Sequence, residues 1–201
     1  MGHFQLTARL WPALKMAHGA RVVNVSSYGH QMASFNFDDP NFEHREYATL
    51  LGYGQSKTAN NLFAVELDNR SQYFQVRAYA VHPGSVNDTD LGREAPIELF
   101  KQMGTHSDDG KIRPEVAATL KTIPQGAATT VWCATSPMLN HIGGVYCEDA
   151  DIAELDSGNI EHRYDDPSSL RGVQPYSVEE EAAKRLWKLS EEMTGLSFQV
   201  D

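Results

Sequence analysis

Tyr53 and Lys57 stand four positions apart in LGYGQSKTANNLFAVEL, residues 51–67. On a helix, positions i and i+4 share one face, so the phenol and the ammonium would project to the same side, a few ångströms apart. An ammonium beside a phenol favours the phenolate and lowers the tyrosine pKa from a reference near ~10. A tyrosine tuned this way can act as general acid or base near neutral pH. The pair alone also fits a surface lysine lying over a half-buried tyrosine, because short motifs recur by chance. Other residues with chemical potential are Ser26 and Ser27 in NVSS and Pro83 and Gly84 in VHPGS. The eight histidines show no HExxH or comparable ligand spacing, so no metal site is expected. Asp38, Asp39, Glu43 and Glu46 lack EF-hand spacing and read as a solvated loop.

The elements that would position these groups follow from hydrophobic spacing and turn residues. Phe4, Leu6, Leu10, Trp11, Leu14 and Met16 recur at helical spacing over 3–16, despite Pro12, with Gly19 as the stop. Arg21 to Val25 is a short β-branched run, read as a buried strand. Residues 28–48 lack periodicity and read as a long loop of the kind that often carries function. A helix is expected from about Leu50 to Ser71, and a strand at 76–81 ended by Pro83-Gly84. Short helices in PIELFKQM and PEVAATLKT, a helix in IPQGAATTVWCATS and a strand in GGVYCED follow. Residues 151–176 read as loop. The last helix lies in SVEEEAAKRLWKLSEEMTG, with Ser177 as N-cap, Glu180 completing a capping box and Gly195 as stop. Trp132 and Trp187 fall on apolar helix faces and are expected in the core.

Alternating helices and strands predict an α/β architecture, a parallel sheet covered by helices. NVSS and VHPGS each close a strand, so Ser26, Ser27, Pro83 and Gly84 fall at one sheet edge, and the helix with Tyr53 and Lys57 connects the two. Open α/β sheets bind ligands outside the carboxyl ends of their strands. With 201 residues, 41% of them hydrophobic, the chain is long enough for one core, and residues 1–201 read as a single domain without repeats. A net charge of −10 argues against nucleic acid and anionic membranes as partners. No apolar run is long enough for a membrane span. Cys133 and Cys147 form no CxxC pair and fit a reducing, cytoplasmic location.

Taken in order, GHFQLT at 2–7, RVVNVSS at 21–27, YGQSKTAN at 53–60, VHPGSV at 81–86 and AAKRLWKLSEEMTG at 182–195 resemble the short-chain dehydrogenases/reductases, in the retinol-dehydrogenase-like and WW-domain-oxidoreductase-like branch. That branch also carries a longer loop where residues 28–52 lie. The resemblance implies the C-terminal portion of a Rossmann-type doubly wound parallel sheet, here three strands with flanking helices. It implies hydride transfer between NAD or NADP and an alcohol/carbonyl pair. Ser27 would hydrogen-bond the substrate oxygen, with Ser26 as the alternative. Tyr53 would donate or accept the proton, and Lys57 would lower the tyrosine pKa and hold the nicotinamide ribose. Pro83, Gly84, Ser85 and Val86 would lie along the nicotinamide, and Thr89 would reach its amide or the phosphates. VNDTDL is one residue longer than the family's usual spacing to that threonine. Segment 85–122, with apolar Leu99, Phe100 and Met103, would cover a medium-sized hydrophobic substrate.

Family members begin with a strand and a glycine-rich turn that cradles the pyrophosphate on backbone N–H groups. The chain would start inside the fourth helix of such a domain, and Gly143-Gly144 enters a strand rather than following one. The 201-residue chain alone is therefore expected to bind NAD(P) weakly or not at all, to be inactive, and to expose the RVVNV strand as an aggregation-prone edge. The alternative to a catalytic half is an inactive remnant that acts by docking to a full-length relative. Helices 3–16 and 50–71 resemble those through which the family forms dimers, so a homodimer is expected through them.

Overall fold

The computed structural model describes residues 1–86, 89–158, 162, 163, 165, 166 and 169–201. A long helix, α1 (Gly2–Met16), leads into β1 (Arg21–Val25), and α2 (Thr49–Ser71) carries the chain to β2 (Arg77–His82). Two short helices, α3 (Ile97–Gln102) and α4 (Pro114–Ala117), precede α5 (Ile123–Thr135), β3 (Val145–Glu148), β4 (Asp151–Ile152) and α6 (Glu180–Thr194). The sheet runs β1-β2-β3-β4. β1 and β2 pair in parallel with Arg21 opposite Arg77, and β2 and β3 in parallel with Tyr79 opposite Val145. The α/β class and parallel sheet are as expected, with one addition. The stretch read as loop from 151 contributes a fourth strand of two residues, antiparallel to β3, too short to leave a hydrophobic period in the sequence.

Strand alternation divides the core between the two faces of the sheet. On one face Ala78 of β2 packs with Phe4 and Trp11 of α1, Phe63 and Leu67 of α2, and Trp187 of α6. On the other, Tyr79 and Val81 pack with Cys133 of α5, Leu139 and Cys147, while Trp132 packs at the margin. Both cysteines are buried and unpaired. Asp68 of α2 clamps the sheet: its Oδ1 accepts from Ala78 N at 3.0 Å and its Oδ2 from Arg77 Nη2 at 2.7 Å. Burial pushes the Asp68 pKa up against the pull of these donors.

Several local expectations shift. α6 starts at Glu180 with Glu179 as N-cap and no side-chain cap. Ser177 instead donates to Gln174 O at 2.8 Å and accepts from Asn61 Nδ2 at 3.3 Å, so tertiary partners take the hydroxyl from the helix end. Asp39 is buried rather than solvated; its carboxylate accepts from Glu43 N at 2.7 Å and His44 N at 3.2 Å. Desolvation opposes the charge, but these two N–H groups, with His44 and Arg45, outweigh it and lower the Asp39 pKa. The loop after residue 32 is tied to α2 through the buried Gln55, which donates to Pro40 O at 2.8 Å and accepts from Arg45 Nη2 at 2.6 Å.

β1 stands at the edge of the sheet, and among the described residues no strand pairs with its outer side. Ala20 O and Ser26 N bond toward β2. By period-two alternation the carbonyl of Val25 faces the open edge, and the Val25 side chain is 45% exposed.

Candidate active site

β1 runs out at Val25, and the chain turns sharply in a 3₁₀ turn over Tyr28–Met32. Ser27 caps that turn: its Oγ accepts from Gly29 N at 3.0 Å. The turn lies directly against α2. A methyl group at Gly54 would come within 2.9 Å of Gly29 O and Met32 Cβ, so only glycine allows this approach. Thr58 Oγ1 fastens the contact by donating to Ala33 O at 2.7 Å.

This packing brings Ser27 to Tyr53. A methyl group at Gly29 would sit 2.4 Å from Tyr53 Cε1 and 3.4 Å from Ser27 Oγ. The edge of the tyrosine ring and the serine hydroxyl thus flank the same gap, the one Gly29 leaves by lacking a side chain. The Lys57 ammonium lies 5.4 Å from the Tyr53 ring centroid. It donates to Val25 O at 3.2 Å, beside Asn60 Nδ2 at 3.1 Å, so both side chains satisfy the carbonyl at the open strand edge. Partial burial lowers the Lys57 pKa. Ser26 has a different position: it is buried, and its hydroxyl donates to Lys57 O at 3.1 Å. Of the two serines, Ser27 is the one whose hydroxyl borders the Gly29 gap that the Tyr53 ring also borders.

Pro83 and Gly84 follow β2 at the same sheet edge, linked to the serine turn by His82, whose Nδ1 accepts from Tyr28 N at 3.2 Å. Burial, then the charges of Lys121 and His30, push the His82 pKa down to about 4. The Lys121 side chain lies over Gly84, 2.5 Å from where a Cβ would stand, and its ammonium pairs with Asp149. Ser85 O accepts from Lys121 N at 2.8 Å, and Val86 bridges to Lys121. Thr89 is exposed, and no contact joins it to Tyr53 or Lys57 among the described residues. Asn87 and Asp88 of the VNDTDL stretch lie outside the described residues. A cavity of about 420 Å³ beside Lys121 is lined by Ile112, Ala117, Leu120 and Ile123, but by neither Ser27 nor Tyr53.

Helical spacing points to Tyr53 and Lys57, the strand end to Ser26 and Ser27, and the resemblance to Ser27; none of them points to their neighbours Gly29, Asn60 and the buried His30. No group of three metal-ligating side chains occurs among the described residues, and no helix among them is long and apolar enough to cross a membrane.

Comparison with known proteins supplies the class. No family model matches the chain. It is 38% identical over 189 residues to a Streptomyces lividans protein named "Probable oxidoreductase", covering 94% of this chain and 60% of that one. It is 33% identical over 200 residues to human retinol dehydrogenase 14, covering 98% of this chain and 50% of the relative. Among solved structures, an uncharacterized protein from Mycobacterium Paratuberculosis superposes with a TM-score of 0.62 at 28% identity, covering 98% of this chain and 57% of that one. The chain is thus a relative of the oxidoreductases and retinol dehydrogenases of the short-chain dehydrogenase/reductase family. It spans between half and three fifths of the length of these relatives.

Proposed function

We propose that residues 1–201 form one partial Rossmann-like domain, the catalytic and C-terminal half of an NAD(P)-dependent oxidoreductase that interconverts an alcohol and its carbonyl compound. The observation that carries this reading is that Ser27 Oγ and the Tyr53 ring edge border one gap at Gly29, with the Lys57 ammonium 5.4 Å from that ring's centroid. Because the Ser27 oxygen already accepts from Gly29 N, its own proton is left to donate to a substrate oxygen. Tyr53 then gives a proton to that oxygen during reduction, or takes it during oxidation. Lys57 supplies the positive charge that favours the phenolate.

The residues present fit the nicotinamide–ribose end of the cofactor. Tyr53 and Lys57 would face the ribose, and Pro83, Gly84, Ser85 and Val86 would flank the ring. Thr89 would reach the amide or phosphates only if its loop approached Lys57. No glycine-rich strand-to-helix turn suited to the pyrophosphate occurs among the described residues, since Gly143 and Gly144 precede β3. When bound, the cofactor supplies or accepts the hydride. Apolar Leu99, Phe100 and Met103 in segment 85–122 support a hydrophobic substrate. Two buried, unpaired cysteines support a reducing, cytoplasmic setting.

In the protein carrying the whole domain, assayed with NADH and NADPH against a panel of carbonyl compounds, Tyr53→Phe should lower kcat by about 10²–10⁴-fold without changing thermal stability. Unaltered turnover would remove Tyr53 from the proton path. A second reading, a non-catalytic remnant docked on a full-length relative, is favoured by the open edge of β1. A stable complex between the two, with no turnover in any form carrying Tyr53, would support it. A homodimer would use the exposed Leu6 and Leu10 of α1 and Leu51 at the start of α2.

A further inference from the structure

His30 is 0% exposed and lies three residues beyond Ser27. A buried imidazole needs a partner at each nitrogen. Its Nε2 is 3.2 Å from the backbone N of Gln174, a group that can only donate, so Nε2 accepts. The proton therefore sits on Nδ1, which donates to Ser27 O at 2.8 Å. The His30 backbone N reaches the same carbonyl at 3.1 Å. The His30 carbonyl in turn accepts from Tyr176 Oη at 2.8 Å and Thr58 Oγ1 at 3.2 Å. One residue thus joins the serine turn, α2 and the segment before α6. Its ring packs 4.8 Å from the Tyr146 ring of β3, centroid to centroid.

We propose that His30 is a positioning residue: neutral, protonated on Nδ1 and anchored by Gln174, it fixes the Ser27 peptide so that the Ser27 hydroxyl stays against Tyr53. The inference rests on the reading of Ser27, Tyr53 and Lys57 as the reacting groups. Ser27 is extended, at φ −163° and ψ 156°, and both its ends are held: the carbonyl by His30, the hydroxyl by Gly29 N. Loss of the ring donor leaves the carbonyl only the longer bond from the His30 backbone N, at 3.1 Å, and the loosened peptide carries the hydroxyl with it. Burial keeps the ring neutral by pushing its pKa down to about 4, against the pull of the Ser27 carbonyl.

Two substitutions separate the two nitrogens. His30→Asn keeps an N–H donor near the Nδ1 position and loses the Gln174 contact. His30→Gln reaches the Nε2 position with an acceptor and loses the donor to Ser27. Both remove packing, so both should lower the melting temperature. Only His30→Gln should lower kcat, by about 10²-fold with KM little changed, because an ångström-scale misplacement of a reacting group has that effect. It should also speed hydrogen exchange at the Gly29 amide, which reports the Ser27 hydroxyl bond directly. In the wild type, ¹⁵N imidazole shifts should show His30 with its proton on Nδ1. A proton on Nε2, or equal kcat and equal Gly29 exchange in the two variants, would overturn the proposal. If the wild-type protein has no dehydrogenase activity, the catalytic reading falls. Gly29 exchange then decides the positioning by itself: faster in His30→Gln alone supports it, and no difference between the variants refutes it.

Discussion

At the scale of single residues, the site depends on a side chain that is not there. Gly29 leaves the space through which the Tyr53 ring approaches Ser27, and a Cβ would stand 2.4 Å from Tyr53 Cε1 and 2.7 Å from Cδ1. Neither neighbour can yield freely, because Ser27 is fixed by the turn it caps and Tyr53 by α2. Gly29→Ala should therefore destabilise the fold by about 1–3 kcal/mol, the usual cost of overpacking, and should push the phenol away from the hydroxyl. Urea denaturation measures the first effect and kcat the second. The attribution to the ring is checked by a double-mutant cycle: in a Tyr53→Ala background the same change should cost little, because the clashing atoms are gone. An equal cost in both backgrounds would place the strain elsewhere.

At the scale of elements, α1 and α2 differ in what they offer a partner. α1 buries Phe4, Thr7 and Trp11 and leaves Leu6 60% and Leu10 48% exposed, one turn apart on a neighbouring flank. α2 is buried without interruption from Asn61 to Asp68 between the sheet and α6, so its first turns and the exposed Asn69 and Arg70 near its end are what remain open. If the protein self-associates through these helices, replacing Leu6 and Leu10 with lysine should shift it to monomer in sedimentation velocity at micromolar concentration while its circular dichroism stays unchanged. Persistence of the dimer would exclude α1. The same two helices show what the sequence encodes and what it does not. Both were legible because apolar spacing and end signals are local, and Tyr53 and Lys57 were legible because four positions on one helix fix their geometry. β4 has too few residues to show a period. The Ser177 cap failed because Asn61 and Gln174 compete for the hydroxyl, and both contacts depend on the packed fold. The His30 link was invisible for a stronger reason: its second anchor, Gln174, lies 144 positions away from it and reaches the ring only when the chain closes.

At the scale of the whole molecule, these links make stability depend on acid. His30 and His82 sit on either side of the serine turn, and burial, the leading cause for both, lowers each pKa from 6.5 to about 4. The groups facing them include Lys121, His162, Asp156 and Asp149, and Lys121 and His162 add to the downward push. The unfolded chain binds protons at these rings below pH ~6.5, whereas the folded protein does not until about pH 4. Between those values the unfolded state carries more protons, so folding stability falls as pH drops, by up to about 1.4 kcal/mol per pH unit for each histidine. Asp39 and Asp156, whose pKa values are lowered, lose their contributions below the ordinary carboxylate range and steepen the fall only in stronger acid. Asp68 and Glu148, raised by burial, act in the opposite sense as they take up protons. Urea midpoints measured from pH 7.5 to 5 follow the histidines, because every carboxylate with a depressed pKa stays ionised there, and any proton uptake by Asp68 and Glu148 works against the fall. The midpoint should fall steadily across that range. His82→Asn, which keeps an acceptor toward Tyr28 N, should remove a distinct part of the slope and leave the rest, carried by His30 and His3, whose pKa values are also lowered by burial. A midpoint constant from pH 7 to 5 would mean that the rings are either already charged in the fold or open to solvent, and the neutral, Nδ1-protonated His30 that anchors Ser27 would fall with it.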